Sequence, residues 1–258
     1  MSANLTSLSG KTAIITGASR GIGESAAREF ASLGASVVLT ARSLEAMQTV
    51  ADDINDAGGK AIAVGCDVSR YEDVEQAVQS AIDHFGRLDI LINNAGVIDP
   101  IARIGDSEPG QWSQVIDINV KGVYHAVRAS LPHMCSQGDG TIINLSSGAA
   151  THALEGWSHY CVSKAAVLSL TTCIHKEYAE QGIRVVGLSP GTVATDMQVK
   201  IKASGINPVS QMSFDDHIDP SWPARAIAWL CTDAGKPYDG TDFSIKTDEN
   251  RRLVGLID

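Results

Sequence analysis

No stretch of the chain approaches the run of about 18 apolar residues that spans a bilayer, and no cluster of Lys and Arg stands out along it. The first lack excludes a membrane-spanning helix. The second, in a chain of net charge -10, argues against nucleic acid or an anionic membrane as the main partner. Cysteine is scarce and wrongly spaced for a metal or a disulfide framework. Cys66, Cys135, Cys161, Cys173 and Cys231 are odd in number and never fall as Cys-x-x-Cys, so reduced, structural thiols are expected. The opening MSANLTSLSGK shows no charged start leading into an apolar core, and a cytoplasmic location is expected. Internal repeats and low-complexity linkers are also missing. At 258 residues and 44% hydrophobic, the expectation is a single domain over residues 1–258 with a dense core.

From Lys11 onward, short β-branched runs alternate with longer helical patterns. That alternation predicts an α/β fold, a doubly wound seven-stranded parallel sheet with helices on both faces. The expected strands are Thr12–Thr16, Ser36–Ala41, Ala61–Cys66, Ile90–Asn93, Gly140–Leu145, Arg184–Leu188 and Thr241–Ile245. Crossovers should be right-handed, and ligands should bind beyond the carboxyl ends of the strands.

The informative residues fall in those loops. TGASRGIG, from Thr16 to Gly23, joins a strand to a helix. Its glycines let the backbone approach a diphosphate whose charge rests on the helix N-terminus, so Gly17, Ser19, Arg20, Gly21, Ile22 and Gly23 are candidate cofactor contacts. The spacing is Gly-x-x-x-Gly-x-Gly, not the common Gly-x-Gly-x-x-Gly. The second strand ends in Ala41-Arg42 with no acid to hold the ribose 2′-hydroxyl of NAD. A basic residue there suits the 2′-phosphate of NADP, and Arg20 offers a second guanidinium, so NADP(H) is expected over NAD(H). Asp67-Val68 after the third strand and Asn93-Asn94-Ala95-Gly96 after the fourth suit contact with an amino group and a flat ring. They would serve equally as turn and cap residues.

The stretch from Ser147 to Lys164 carries the chemistry. Tyr160 and Lys164 stand four apart in a helical pattern, so both leave one face. An ammonium within reach should favour the phenolate and lower the phenol below its usual pKa of about 10. Ser147 adds a hydroxyl thirteen residues before Tyr160. Alone the pair is a weak signal, since a Tyr-x-x-x-Lys arises by chance in roughly one such chain in six at ordinary lysine usage. His152 and His159 lie nearby, yet no Gly-x-Ser-x-Gly elbow or metal-ligand spacing accompanies them. Surface or substrate-lining histidines, and no metal, are expected. Cys161 should be turned away by the helix.

Taken together, TGASRGIG at 16–23, NNAG at 93–96, Asn119 in INVKG, Ser147, Tyr160-x-x-x-Lys164 and PGTVAT at 190–195 follow the order of the short-chain dehydrogenase/reductase family. The chain resembles its compact single-domain members from Lys11 to Met197. The resemblance implies a Rossmann-type, NAD(P)-binding oxidoreductase. In it Tyr160 is the general acid or base, Ser147 a donor to the substrate oxygen, and Lys164 a holder of the nicotinamide ribose. Asn119 would bind a relay water, or else simply bond its own helix backbone. It also implies that Asp67 and Val68 meet adenine, that Asn94, Ala95 and Gly96 line the adenosine side, and that Pro190, Gly191, Val193 and Thr195 hold the nicotinamide end.

The likeness weakens beyond Met197. Residues 198–222 lack periodicity and are expected to cover the substrate. Trp157, Met197, Met212 and Phe214 are expected to line a pocket for an apolar or aromatic carbonyl compound. The ending DGTDFSIKTDENRRLVGLID departs from the frequent Asp-Gly-Gly pattern, which weakens the case for a homotetramer. The helices around Gln111–Ser136 and Ser158–Glu180 predict a homodimer. The leading function is therefore reduction of a ketone or aldehyde, or oxidation of the matching secondary alcohol, with NADP(H). A non-catalytic nucleotide-binding or redox-sensing protein is the alternative, against which stands the intact Ser147, Tyr160 and Lys164. An epimerase or dehydratase is disfavoured because the chain has no room for a substrate domain.

Overall fold

The computed structural model describes residues 7–258; the start of the opening segment read above lies outside the described residues. Seven parallel strands form one sheet in the order β3-β2-β1-β4-β5-β6-β7. They are β1 Thr12–Thr16, β2 Ser36–Ala41, β3 Lys60–Gly65, β4 Ile90–Asn93, β5 Gly140–Leu145, β6 Ile183–Ser189 and β7 Asp242–Ser244. Four match the sequence expectation residue for residue. β3 begins one residue early, β6 is longer at both ends, and β7 keeps only its middle. The reversal of order between β1 and β4 opens the crevice in which such sheets bind ligands.

Alternation along each strand divides the core into two layers. Ile14, Val38, Leu91, Ile142 and Val185 face one side with α3 (Tyr71–Phe85), α5 (Gly122–Gln137) and α6 (Ser158–Tyr178). Ile15, Leu39, Ile92, Ile143, Leu188 and Phe243 face the other, with α1 (Gly21–Ser32), α2 (Leu44–Asp56) and α8 (Ser221–Leu230). A parallel sheet covered on both faces explains why the strands read as continuous apolar runs.

At the carboxyl end, the α6 side of the sheet turns polar. Asn93 Nδ2 donates to Asn144 Oδ1 at 2.8 Å, and Asn144 Nδ2 donates to Thr171 Oγ1 of α6 at 2.9 Å. On the neighbouring strands Ser189 Oγ donates to Asp242 Oδ2 at 2.6 Å. The buried Asn93, Asn144 and Thr171 side chains thus bond one another, as polar groups in a dry interior do, while Asp242 Oδ1 has no partner among the described residues.

The expected helix from Gln111 to Ser136 is built in three parts. α4 (Pro109–Ile116) and α5 are joined by a π-helical turn at Asp117–Lys121 that carries Asn119. The sequence-predicted covering segment holds the end of α7 (Asp196–Ser204), short 3₁₀ turns at Pro208–Gln211 and Phe214–Asp216, and the start of α8. The C-terminus closes on α9 (Asp248–Val254).

Candidate active site

The glycine loop lies where β1 meets α1. Gly17 takes φ +66°, a left-handed conformation that favours glycine, and an added Cβ there would stand 2.9 Å from Ala95 Cα. An added Cβ on Gly23 would stand 2.3 Å from the Gly17 carbonyl oxygen. Gly23 therefore serves the packing of helix on loop and, unlike the other loop candidates, does not line the cleft. Asn94 clamps the loop: its Nδ2 donates to the carbonyls of Thr16 and Gly17 at 2.9 and 3.0 Å. Thr16 Oγ1 accepts from the backbone N–H of both Asn94 and Ala95 at 3.0 Å. Arg20, the N-cap of α1, provides no side-chain cap. The first N–H groups of a twelve-residue helix thus open toward the cleft without a side-chain acceptor, as a diphosphate requires.

Arg42 stands at the end of β2, exposed and without a hydrogen-bond partner among the described residues. Asp67 faces it across the cleft mouth. Burial pushes the Asp67 carboxyl up, but Ser69, donating from its backbone N–H and hydroxyl, with Arg42 and Arg70 acting on the charge, holds it below the usual carboxylate value. Arg20 also lines the cleft. Its Nε lies 3.4 Å from Asp196 Oδ2 in an exposed pair of little energetic weight.

Ser147, Tyr160 and Lys164 line the same cleft as the glycine loop. Ser147 follows β5 and caps a 3₁₀ turn at Gly148–Ala150, its Oγ accepting from Ala149 N–H at 3.2 Å. Tyr160 and Lys164 lie in the first two turns of α6 and are both buried. The Lys164 ammonium donates to the Leu145 carbonyl at 2.6 Å and sits 5.6 Å from the centroid of the Tyr160 ring.

Here the structure corrects the expected electrostatics. Burial pushes the Tyr160 phenol up to about 12, only partly opposed by a hydrogen bond from Ser147. Burial likewise pulls the Lys164 ammonium down to about 8, against the opposing charge of Asp242. The ammonium is committed to a carbonyl and is itself desolvated, so it does not lower the phenol. Asp242 is held in turn: burial raises its carboxyl, and Ser189 with the Lys164 charge pulls it back.

Asn119 does not bond its own helix backbone. Its Oδ1 accepts from the Val97 N–H at 2.8 Å, and its Nδ2 donates to the Val97 carbonyl at 2.9 Å and to Ser163 Oγ at 3.0 Å. Both amide hydrogens are taken by protein groups outside its own helix, and the residue does not line the cleft. It ties the π-helical turn to the loop after β4 and to α6. His159 is also corrected, being fully buried, with Nε2 2.7 Å from the Ile98 carbonyl. His152 is exposed and does line the cleft. Cys161 Sγ turns to the His152 carbonyl at 3.7 Å. Burial pushes the Cys66 and Cys231 thiols up to about 12, which keeps them unreactive.

Val68, Ala95, Gly96, Pro190, Gly191, Val193 and Thr195 all reach the cleft, whose volume is about 940 Å³. Trp157 and Met197 line it, but Met212 and Phe214 do not. Phe214 stands 45% exposed and packs edge-on against His217. Ile98, Leu154, Ile201 and Val209 form the apolar wall in their place. Sequence patterning gives no sign of them because Ile98, Leu154 and Val209 come from loops and a short turn, and Ile201 from the nine-residue α7 in a segment without clear periodicity. Among the described residues no group of three or more His, Cys, Asp or Glu is arranged to hold a metal, and no helix is long and apolar enough to cross a membrane.

The family model for short chain dehydrogenases matches residues 11–205. The chain belongs to this family. As a short-chain dehydrogenase it is similar to oxidoreductase UcpA of Salmonella typhimurium, at 40% identity over 86% of this chain and 83% of that one. It is also similar to a 3-oxoacyl-(acyl-carrier-protein) reductase of Synechocystis, at 34% identity over 93% and 97% of the two chains. A crystal structure of gox2181 shares the fold with a TM-score of 0.85 at 24% identity, covering 92% of this chain and 95% of that one. The family is one of oxidoreductases that use NAD(P)(H), and the cleft, with its glycine cradle and open helix terminus, fits such a dinucleotide.

Proposed function

We propose that this short-chain dehydrogenase reduces a ketone or aldehyde, or oxidises the matching secondary alcohol, with NADP(H) preferred over NAD(H). The observation that carries the reading is the meeting of Ser147, Tyr160 and Lys164 with the glycine loop in one cleft. A bound nicotinamide supplies the hydride. Tyr160 delivers the proton to the carbonyl oxygen from a phenol that burial keeps protonated across the physiological range. Ser147 donates to the same oxygen, opposing the charge that develops there. Lys164, which lines the cleft, would hold the ribose hydroxyls of the bound dinucleotide. The Synechocystis relative is named for a 3-oxoacyl reductase, a ketone chemistry that agrees with this reading.

The NADP preference rests on Arg42, a guanidinium at the end of β2 where no acid stands. Arg42→Ala is expected to weaken NADPH binding about ten- to hundred-fold, the worth of charge-assisted hydrogen bonds, while leaving NADH within a few-fold. Equal affinity of wild type and variant for NADPH, measured by fluorescence titration, would remove the assignment. A panel of ketones followed by NADPH absorbance tests turnover itself.

The protein acts in the cytoplasm as a single domain, in this reading, and pairs as a homodimer through α5 and α6. Tyr124 and Val162 stand more than half exposed on those helices. Light scattering on the purified chain is expected to give twice the 27.2 kDa chain mass, and a monomer at micromolar concentration would overturn the pairing.

A further inference from the structure

Five cations line the cleft: Arg20, Arg42, Lys164, Lys200 and Lys246. Three are engaged, Arg20 with Asp196, Lys200 with Asp99 and Lys164 with the Leu145 carbonyl. Arg42 awaits the 2′-phosphate proposed above. Lys246 remains, its ammonium making neither an ion pair nor a hydrogen bond among the described residues.

Its placement is specific. The residue follows β7, but its side chain reaches back over β6 and β5. Its stem passes Gly191, where an added Cβ would lie 3.4 Å from Lys246 Cγ. Its Nζ ends against Gly148, where an added Cβ would lie 2.7 Å away. Gly148 directly follows Ser147, so an ammonium without a partner among the described residues stands one residue along the chain from the hydroxyl proposed to meet the substrate oxygen. β2, β1, β4 and β5 are successive neighbours in the sheet. At about 4.8 Å per strand the tip of Lys246 is then about 14 Å from the column of Arg42, too far for one phosphate to meet both. The same cleft has an apolar lining in Ile98, Leu154, Trp157 and Ile201, of which all but Leu154 are buried together.

We propose that Lys246 sets substrate specificity by receiving a carboxylate on the carbonyl substrate, so that the preferred class is an oxo acid with an apolar body. The inference rests on the carbonyl reductase reading above. A carboxylate held a few bonds from the reacting carbon fixes the carbonyl oxygen toward Ser147 and Tyr160 while the apolar body meets that lining. In a chain of net charge -10, an anionic substrate is otherwise repelled at long range, and a local cation in the cleft is what offsets that.

The test compares phenylglyoxylate with its methyl ester, using the full chain and NADPH; the added methyl group affects wild type and variant alike, so the change in the acid-to-ester ratio between them reads the charge. In Lys246→Met the ratio of kcat/KM for acid over ester is expected to fall about ten- to hundred-fold, and Lys246→Arg should recover most of it. An unchanged ratio overturns the proposal, as does a loss of NADPH affinity with the ratio unchanged. Phenylacetate binding, followed by tryptophan fluorescence, separates this outcome from failure of the reductase reading. If wild type turns over neither compound nor any ketone, that reading fails. Phenylacetate binding that Lys246→Met abolishes then still supports the anion site, and no binding, or equal binding by both proteins, refutes it.

Discussion

Tyr160→Phe is expected to lower kcat/KM for carbonyl reduction at least about a thousandfold, within the range attributed to positioned general acids, while NADPH binding changes by no more than a few-fold. The reasoning is geometric. The Tyr160 ring packs edge-on against Trp157 with centroids 5.7 Å apart and belongs to a small buried cluster. Phenylalanine keeps that ring and removes only the hydroxyl. Ser147 remains able to polarise the carbonyl, so a residue of activity survives, but the hydroxyl proposed to protonate that oxygen is gone. His159 cannot substitute, because its Nε2 is tied to the Ile98 carbonyl. Turnover that persists near the wild-type rate would defeat the mechanism. Loss of NADPH binding along with turnover would instead show that the hydroxyl holds the cofactor.

Lys164→Met should abolish turnover and at the same time change how stability responds to pH. The ammonium is pulled down to about 8 in the folded chain against an unfolded value near 10.4. Below pH 8 both states are protonated and folding bears the whole cost of burying the charge. As pH climbs from 8 to 10.5 the folded state loses its proton first, and that cost fades. Wild type should therefore gain stability relative to Lys164→Met by about 3 kcal/mol between pH 7 and pH 10.5. The hydrogen bond lost from the Leu145 carbonyl shifts the variant by a constant amount and cancels from this difference. Urea titrations of both proteins at the two pH values read it directly, and parallel pH dependence would show that Lys164 is not desolvated as the structure has it.

These two residues show how far the sequence reaches. The four-residue spacing of Tyr160 and Lys164 predicts that both leave one face of a helix, and they do. It carries no information on depth, and depth reverses the expected shift of the phenol. The strands were legible because a sheet covered on both faces demands unbroken β-branched runs. The ends of β3, β6 and β7 slipped because pairing with a neighbour, not composition, decides where a ladder stops. The π-helical turn at Asn119 was hidden by an apolar pattern that runs through it. What creates that turn is a bond partner, Val97, about twenty residues away. Met212 and Phe214 misled for a related reason: apolar side chains in an aperiodic segment have no face to predict from, and the 3₁₀ turns direct Phe214 outward. Lys246 lies in a tail whose charges look uniform in sequence, and only the fold singles it out.

The third apolar cluster joins α7 to the ring of Tyr160. Ile98, Ala149, Trp157, Tyr160 and Ile201 are buried together, apart from the two layers that sandwich the sheet. Ile201 belongs to α7, so the helix that flanks the cleft shares this small buried cluster with the Tyr160 ring. Detaching a patch of that size takes far less free energy than unfolding the domain. The patch is thus a separate and weaker unit of packing, in which α7 and the Tyr160 ring are held by the same few side chains, apart from the two layers that cover the sheet.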